Sequence, residues 1–205
     1  MPPVAEIDAV TIDAYGTLLE LEDPVGSLAR LLPDHERAAI ELAFLAEAEH
    51  YVAHSLHGCD PESLVRLYAD CTAVFNQALG SALAPEEYVA ALEAEYRVLP
   101  GVPEALSRLR ALGLELAVVG NWDSRLSEHL ERLGLAPHIG AVVTSAEAGA
   151  AKPDPRPFLL ALERLGVEPA RALHIGDAEA DEEGACRAGM RFAPVPLSTL
   201  VDRLR

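Results

Sequence analysis

The chain is poor in positive charge. Its 205 residues include 16 lysines and arginines against 33 aspartates and glutamates, which gives a formal net charge of −17. Nucleic acids and anionic membrane surfaces are bound through clustered lysine and arginine side chains, so we expect neither as a partner. An anionic small molecule needs a local reversal of this negative field, and a bound divalent cation provides one.

Cysteine and long apolar runs are also scarce. The three cysteines are odd in number and never spaced as CxxC, which argues against a disulfide framework and a structural zinc site. No segment approaches the roughly 18 apolar residues of a membrane span, and no basic stretch precedes an apolar one at the N-terminus. Half of the residues are hydrophobic. We therefore expect a globular, cytoplasmic protein with reduced thiols.

Lysine is the rarest charged residue, because Lys152 is the single lysine among the cationic side chains. A compact, strongly hydrated ammonium group cannot be replaced by a planar guanidinium. A chain that uses arginine elsewhere and keeps one lysine indicates a functional requirement at that position. Biased codon usage is the alternative explanation.

Residues 9–12 form a nearly continuous apolar run with two apolar β-branched members, which predicts a buried parallel strand. Asp13 follows it directly, Gly16 lets the backbone turn closely around an anion, and Thr17 adds a hydroxyl. Ligands of open α/β sheets bind at the carboxyl ends of the strands, so Asp13 is a candidate functional residue. The alternative is a strand and glycine turn with an incidental aspartate.

Helical periodicity dominates after a linker at residues 18–24. Four helices are expected here. The first begins at Asp23-Pro24, and the second runs from a cap at Asp34 to about residue 55. The third covers residues 64–79 and the fourth covers residues 85–96. On the second helix Glu47, His50 and His54 share one face; a metal site is one reading, and an exposed polar face is the more common one. The block predicts an all-helical insert that forms a small bundle of its own.

From residue 99 onward, helices alternate with short apolar segments. Strands are expected over 114–119, 141–144, 172–175 and 191–195. Helices are expected over 102–112, 125–133 with Ser124 as its cap, 157–165, before Gly189, and over 197–205. This alternation predicts a doubly wound, parallel α/β sheet, Rossmann-like in architecture. We expect a core domain of residues 1–18 and 99–205 and a helical cap domain of residues 19–98 over the carboxyl edge of the sheet.

Polar side chains lie at the strand ends and loops of this predicted sheet: Asp13, Asn121, Lys152, Asp177 and Asp181. These ends meet at one crevice. Clustered carboxylates repel one another unless a cation lies among them, and hard oxygen ligands favour Mg²⁺, which also binds substrate phosphate. Lys152 is suited to neutralise Asp13 and the transferring group, and Asn121 to donate to the oxygens of that group.

The order of these motifs resembles the haloacid dehalogenase superfamily of hydrolases. The resemblance rests on Asp13-Ala14-Tyr15-Gly16-Thr17, on Lys152-Pro153-Asp154-Pro155 and on Gly176-Asp177 with Asp181, three of the family's four motifs. The helical insert matches a cap that the family places after its first motif. By this resemblance the chain is a phosphatase or dehalogenase of a small molecule, with the core and cap described above.

The resemblance also implies the roles of individual residues. Asp13 would attack phosphorus or carbon to form a covalent aspartyl intermediate, which water then hydrolyses, and Lys152 would act beside it. The implied Mg²⁺ ligands are Asp13, the backbone carbonyl of Tyr15, Asp177, and Asp181 as a ligand or as a support of the ligands. The implied substrate-binding residues are Thr17, Gly120, Asn121 and Lys152. Asp181 is also in position to cap the following helix.

Two positions depart from the family pattern. Tyr15 stands where family phosphatases place a second aspartate, which protonates the leaving alkoxide and activates water. Loss of such a group costs roughly 10²- to 10⁴-fold in rate. Gly120 stands where a serine or threonine hydroxyl is expected, so Asn121 and the backbone amide would have to bind the transferring group alone.

Three interpretations follow. A Mg²⁺-dependent phosphohydrolase acting on a small phosphate ester is the favoured one. Tyr15 also resembles the start of 2-haloacid dehalogenases, which are metal-independent and need no acid at that position. Those enzymes bind the substrate carboxylate through an arginine, and the surroundings of Arg30 and Arg37 match poorly. A non-enzymatic relative that binds a phosphorylated ligand or a partner is the third, and the oligomeric state stays open.

Overall fold

The computed structural model describes residues 7–194, 196 and 197. Its strands are β1 (Ala9–Ile12), β2 (Leu19–Leu21), β3 (Tyr96–Val98), β4 (Glu115–Gly120), β5 (Ala141–Thr144), β6 (Ala172–Gly176) and β7 (Arg191–Pro194). Its helices are α1 (Pro24–Leu31), α2 (Arg37–His54), α3 (Pro61–Leu79), α4 (Pro85–Glu93), α5 (Val102–Ala111), α6 (Leu126–Arg132), α7 (Ser145–Ala148), α8 (Arg156–Leu165) and α9 (Glu179–Arg187).

The central sheet has five parallel strands in the order β5-β4-β1-β6-β7. The first strand of the chain is therefore the middle strand of the sheet. Every residue of β1 and β6 is buried, as expected for strands covered on both faces. The strands predicted at 9–12, 114–119, 141–144 and 172–175 are confirmed. The fifth is confirmed as far as Pro194, because residue 195 lies outside the described residues.

Each face of the sheet has its own apolar core. Val10 and Ile12 point toward one cluster, where they pack with residues of α5 and α6. Ala9 belongs to the other cluster, which contains Phe158 of α8 and Ala185 of α9. Alternate residues of a strand point to opposite faces, so a short apolar strand supplies both cores. The predicted doubly wound α/β fold is confirmed.

Helices α1 to α4 pack on one another around a third cluster. Its buried members are Leu28, Leu32, Ile40, Ala43, Phe75 and Tyr88. Asp23 caps α1 by accepting a hydrogen bond from the Gly26 amide, as the sequence predicted. Helix α2 begins at Arg37 without a side-chain cap, so the predicted cap at Asp34 is wrong; that residue lies in the preceding turn.

A two-stranded antiparallel ribbon connects these helices to the sheet. Strand β2 pairs with β3, with Glu20 opposite Arg97. The predictions of a linker at 18–24, of an insert with helices alone and of a fourth helix reaching residue 96 are therefore wrong. Strands of three residues are too short to show an alternating pattern, and these two form only because distant segments meet.

The turn before α6 is held by Asp123 and not by Ser124. The Asp123 carboxylate accepts a hydrogen bond from the Arg125 amide at 2.8 Å, and α6 begins one residue later. The predicted cap at Ser124 is wrong. Asp123 is buried, and burial raises the pKa of its carboxyl group.

His129 on α6 is buried against Tyr96 and Trp122, and its Nδ1 lies 3.1 Å from the Arg132 guanidinium. Burial lowers its pKa to about 4, and the positive charges of Arg132 and Arg125 act in the same direction. The folded state therefore favours neutral His129. Its contribution to stability is complete above the unfolded-state pKa of about 6.5 and is lost as the pH falls toward 4.

We expect the free energy of unfolding to fall between pH 7.5 and pH 4.5 by about 2 kcal/mol more in the wild-type protein than in His129→Gln. Urea denaturation of both proteins at the two pH values measures this difference. Carboxylates that titrate in the same range are common to both proteins and cancel. Parallel curves for the two proteins would contradict the assignment of neutral His129.

Other sequence predictions concern covalent bonds, membranes and the C-terminus. All three cysteines are free, as predicted. Among the described residues we find no helix with the length and apolar character needed to span a bilayer. The predicted helix at 197–205 lies outside the described residues except for Leu197.

Candidate active site

Three of the predicted residues follow neighbouring parallel strands at one edge of the sheet. Asp13 follows β1, Asn121 follows β4 and Asp177 follows β6. Because β1 lies between β4 and β6, Asp13 is the central member of this set. The amide of Asp13 donates to the Ile175 carbonyl at 2.8 Å, which extends the sheet pairing to the carboxylate itself.

Lys152 joins the carboxylates of Asp13 and Asp181. It comes from the loop between α7 and α8, and its Nζ donates to Asp13 Oδ1, to Asp181 Oδ1 at 2.6 Å and to the Val119 carbonyl at 3.2 Å. All three side chains are buried. An ammonium group has three donors, so each one has a partner here. The single lysine of the chain thus bridges an acid on β1 and an acid on α9.

Asn121 holds the loop that carries Lys152. Its side-chain oxygen accepts from the Lys152 amide at 2.7 Å, and its Nδ2 donates to the Lys152 carbonyl at 3.1 Å. This pair of bonds fixes the backbone of Lys152 on both sides of its Cα. One of the two N–H groups of the Asn121 amide is therefore engaged in positioning Lys152, and the other is the one left to bind a ligand.

Asp181 is fixed from two further directions. Its Oδ2 accepts from the Ala178 amide at 3.1 Å, which caps α9 as expected. His174 Nε2 lies 3.1 Å from Oδ1, and His174 Nδ1 lies 2.8 Å from the Thr11 hydroxyl. Burial lowers the pKa of His174, so the ring is neutral. Since an ionised carboxylate only accepts, Nε2 carries the proton and Thr11 donates to Nδ1.

The pKa values of the two acids on either side of Lys152 are shifted in opposite directions. Burial raises the pKa of Asp13 to about 6, and the negative charge of Asp181 adds to this against the effect of Lys152. Burial acts in the same direction on Asp181, but there the hydrogen bond from His174 and the charge of Lys152 outweigh it and lower the pKa. One lysine therefore does not fully compensate both acids, and a further cation would stabilise ionised Asp13.

Asp13, Asp177 and Asp181 offer carboxylate oxygens that lie within 4.8 Å of one another. The residue Asp177 is exposed overall, but its carboxyl group is partly desolvated, and this desolvation together with the negative charge of Asp181 raises its pKa. Gly16 has a φ of +79°, and a Cβ there would lie 2.3 Å from Asp177 Oδ2. Glycine therefore allows Asp177 to approach the loop after Asp13. A set of hard carboxylate oxygens beside a negative excess fits a divalent cation such as Mg²⁺.

The remaining predicted residues differ in position. Tyr15 is 48% exposed and lines a cavity together with Gly120 and the groups described above. A Cβ at Gly120 would lie 3.3 Å from Leu126 and 3.4 Å from Ala14, so packing leaves little space for a hydroxyl-bearing side chain. Thr17 does not line the cavity. It is buried, and its hydroxyl has no hydrogen-bond partner among the residues that the structure describes.

The cavity has a volume of about 530 Å³ and extends from the sheet edge to helices α2, α3 and α4. Its lining includes Asp13, Lys152, Asp177 and Asp181 at one end and Phe44, Glu47 and Tyr88 from the helices. Asp123 lies beside the cavity and connects the loop after β4 to the helices. Its Oδ2 accepts from the Tyr51 hydroxyl at 3.0 Å and from the Tyr68 hydroxyl at 2.9 Å. The helices are thus hydrogen-bonded directly to the loop after β4.

The sequence analysis missed His174, Thr11 and Asp123. His174 and Thr11 are paired register positions on β6 and β1, and both are polar residues inside buried apolar strands. A buried polar residue needs a partner, so two of them in neighbouring strands are a usable signal. Asp123 gave no such signal, because its partners Tyr51 and Tyr68 lie far away in the sequence.

A family model described as haloacid dehalogenase-like hydrolase matches residues 7–189. The chain is similar to haloacid dehalogenase-like hydrolase domain-containing protein 3 of Mus musculus, with 47% identity over 108 residues that cover 52% of this chain and 43% of the mouse protein. It is also similar to a phosphoglycolate phosphatase of Aquifex aeolicus, with 38% identity over 117 residues that cover 53% of this chain and 55% of that protein. The matched segments thus span about half of these relatives.

Solved structures share the fold over most of the chain. The HAD phosphatase of Thermococcus onnurineus has a TM-score of 0.62 and 25% identity, with 93% of this chain and 86% of that chain covered. The L-2-haloacid dehalogenase of Xanthobacter autotrophicus has a TM-score of 0.69 and 24% identity, with 92% and 77% covered. At this identity the second likeness concerns the fold alone.

Proposed function

The chain belongs to the haloacid dehalogenase-like hydrolases, and on that premise we propose that it is a Mg²⁺-dependent phosphohydrolase acting on a small phosphate ester. One observation carries the proposal: Asp13, Asp177 and Asp181 lie within 4.8 Å of one another, with Lys152 between two of them. The relatives whose names end in phosphatase support the reaction class, and the substrate and the metal requirement are part of the proposal.

The proposed metal ligands are Asp13, the backbone carbonyl of Tyr15 and Asp177, with Asp181 as a ligand or as a support of the ligands. When bound, Mg²⁺ supplies positive charge that lowers the repulsion between a phosphate dianion and the carboxylates. The residues fit this group, because the negative charge at the sheet edge exceeds what Lys152 compensates. Asp181 is held by His174, Lys152 and the Ala178 amide, so it supports the ligands at a fixed position.

Asp13 is the proposed nucleophile. One of its carboxylate oxygens attacks phosphorus, and the bond between phosphorus and the ester oxygen breaks with its electron pair on the leaving oxygen, which takes a proton from water. Water then attacks the aspartyl phosphate, which releases inorganic phosphate and restores the carboxylate. Lys152 holds the attacking carboxylate in place and faces the charge that develops on the phosphoryl oxygens. Asn121 and the backbone at Gly120 are the other proposed phosphate-binding groups, and Thr17 is left out because its buried side chain does not line the cavity.

No carboxylic acid stands two residues after Asp13. Tyr15 occupies that position, and burial raises the pKa of its hydroxyl. The phenol therefore stays protonated at neutral pH and does not act as a base toward water.

We propose that residues 19–98 form a cap that covers this site, with residues 1–18 and 99–205 as the core. The hydrogen bonds of Tyr51 and Tyr68 to Asp123 support this division of roles.

Metal removal tests the proposal. We expect phosphate release from p-nitrophenyl phosphate to fall at least about 10²-fold when Mg²⁺ is removed with EDTA and to return when MgCl₂ is added in excess, because the carboxylates then again share a divalent cation. Phosphate release measured by a colorimetric assay gives the rate in each case.

The control substrate is 2-chloropropionate, assayed for chloride release with and without Mg²⁺. Chloride release without metal, together with no phosphate release, would replace the proposal with a dehalogenase. Phosphate release that is equally fast in EDTA would remove the metal from the proposal. Anion binding without turnover of either substrate would indicate a non-enzymatic member of the family.

A further inference from the structure

We infer that the cavity described above binds the leaving group of the ester, and that this group is aromatic or similarly flat and apolar and carries no second negative charge. The inference rests on the proposed phosphohydrolase function and adds the substrate class. It is carried by the residues that line the cavity between the acidic end, at Asp13 and Lys152, and the helical end, at Phe44 and Tyr88.

Aromatic residues are concentrated at this cavity. Aromatic side chains make up only 5% of the chain, yet all five tyrosines and the single tryptophan line this one space. They are Tyr15, Tyr51, Tyr68, Tyr88, Tyr96 and Trp122, and Phe44 is a seventh. Leu45, Val52 and Leu92 add apolar surface from the helices. A cavity wall of this composition binds an apolar ring most favourably, because such a ring packs edge to face or offset against aromatic side chains.

The rings are held in fixed positions. Trp122 lies edge-on to Tyr51 with their ring centroids 6.5 Å apart, and Tyr96 lies 5.6 Å from Trp122. The hydroxyls of Tyr51 and Tyr68 are both bound to Asp123. These residues therefore present a preformed surface, which costs little entropy when a ligand binds.

The charges of the lining exclude a leaving group with a carboxylate. Among the lining residues that the structure describes, Lys152 is the one lysine or arginine, and it is already held by Asp13 and Asp181. His129 is neutral at pH 7 because its pKa is lowered. Glu47 lies in the helical wall, buried, and accepts a hydrogen bond from the neutral Tyr88 hydroxyl at 2.9 Å. Burial raises the pKa of Glu47, but Asp13, Asp177, Asp181 and Glu93 also line the cavity, so a second anionic group would meet an excess of acidic side chains without a free cation among the described lining residues.

The arginines of the first two helices do not change this picture. Arg30 contacts Glu95 at 3.4 Å, and Arg37 contacts Asp23 at 2.7 Å. Neither residue lines the cavity. The cavity volume of about 530 Å³ lies within the range of sites that bury drug-sized ligands. It is larger than the volume that a leaving group of only two carbon atoms would fill.

Three alkyl phosphates with similar leaving oxygens test the inference with Mg²⁺ present: ethyl phosphate, 2-phenylethyl phosphate and 2-(4-carboxyphenyl)ethyl phosphate. We expect kcat/KM for the phenylethyl ester to exceed that for the ethyl ester by roughly 30- to 100-fold, mainly through KM, because the ring becomes buried. We expect the added carboxylate to lower kcat/KM by roughly tenfold or more, since like charges repel in a low-dielectric cavity.

Two matched variants of helix α2 assign the charge effect. Glu47→Gln should shrink the ratio between the phenylethyl and carboxyphenylethyl esters by about fivefold or more. Glu41→Gln makes the same chemical change at an exposed position of the same helix, outside the cavity, and should leave all three rates as in the wild-type protein.

Each outcome of these assays is decisive. If ethyl phosphate is hydrolysed with Mg²⁺ and the phenyl group brings no advantage, the inference is overturned while the phosphohydrolase proposal stands. If the carboxylate is accepted as well as the plain ring, the charge exclusion is overturned. If p-nitrophenyl phosphate is hydrolysed with Mg²⁺ and none of the three alkyl esters is, the inference is overturned while the phosphohydrolase proposal stands. If none of the four esters is hydrolysed, the proposed function fails and the inference fails with it.

Discussion

Replacement of Asp13 by asparagine is expected to lower kcat for phosphate ester hydrolysis by at least about 10⁴-fold. The amide of asparagine is not a nucleophile toward phosphorus, and it removes one of the carboxylates proposed to hold the metal. The fold should survive, because asparagine has nearly the same shape and Lys152 keeps its bond to Asp181 at 2.6 Å. Initial rates at saturating Mg²⁺ and circular dichroism of the same sample measure the two effects.

Asp8→Asn is the matched control for Asp13→Asn. Asp8 precedes the same strand at its opposite end, where it is half-exposed and paired with Arg171. We expect this variant to keep wild-type activity, because a surface ion pair contributes little. An Asp13→Asn protein that retained activity within tenfold of the wild type would exclude Asp13 as the nucleophile.

Replacement of Lys152 by methionine is expected to lower the free energy of unfolding by about 3–5 kcal/mol when no divalent cation is present. The side chains of Asp13 and Asp181 are buried on either side of Nζ, and methionine fills the space of the lysine stem without its charge. Two buried carboxylates would then face each other uncompensated. Urea denaturation in EDTA measures this cost, and added Mg²⁺ should recover part of it.

Arg171→Met supplies the comparison for Lys152→Met. Arg171 also pairs with an aspartate, Asp8, but both side chains are about half exposed, so we expect a much smaller loss of stability than for Lys152→Met. Addition of Asp13→Asn to Lys152→Met should reduce the loss of stability, because one uncompensated charge is removed. Equal costs for the two single variants would show that burial of Lys152 between acids has no special energetic role.

The strands of the sheet could be predicted because each carries its own signal. Residues 9–12, 141–144 and 172–175 are short apolar runs, and the structure has strands at these positions. Helix α1 was predictable from Asp23 and the proline after it, since capping depends on neighbouring residues. The local rules for capping failed at Asp34 and Ser124. Both residue types are suited to cap a helix, but the chain forms a different turn there and neither side chain acts as the cap.

The ribbon and the helical wall of the cavity depend on distant contacts. Strands β2 and β3 lie far apart in the sequence, and neither is long enough to be recognised alone. The seven aromatic residues of the cavity are likewise scattered from Tyr15 to Trp122. In the sequence each one looks like an ordinary member of a helix or loop, so their common function has no local signature.

The sequence by itself determined the parallel α/β fold, because apolar periodicity is a local property. Its motifs carried the resemblance to the family and the candidate acids and lysine. Only the tertiary structure decided how the acidic centre is arranged: Lys152 joins Asp13 to Asp181, Asn121 holds Lys152, and His174 with Thr11 holds Asp181. These hydrogen bonds join residues on different strands and loops. Their distances, and therefore the charge balance of the site, are set by how the strands lie side by side.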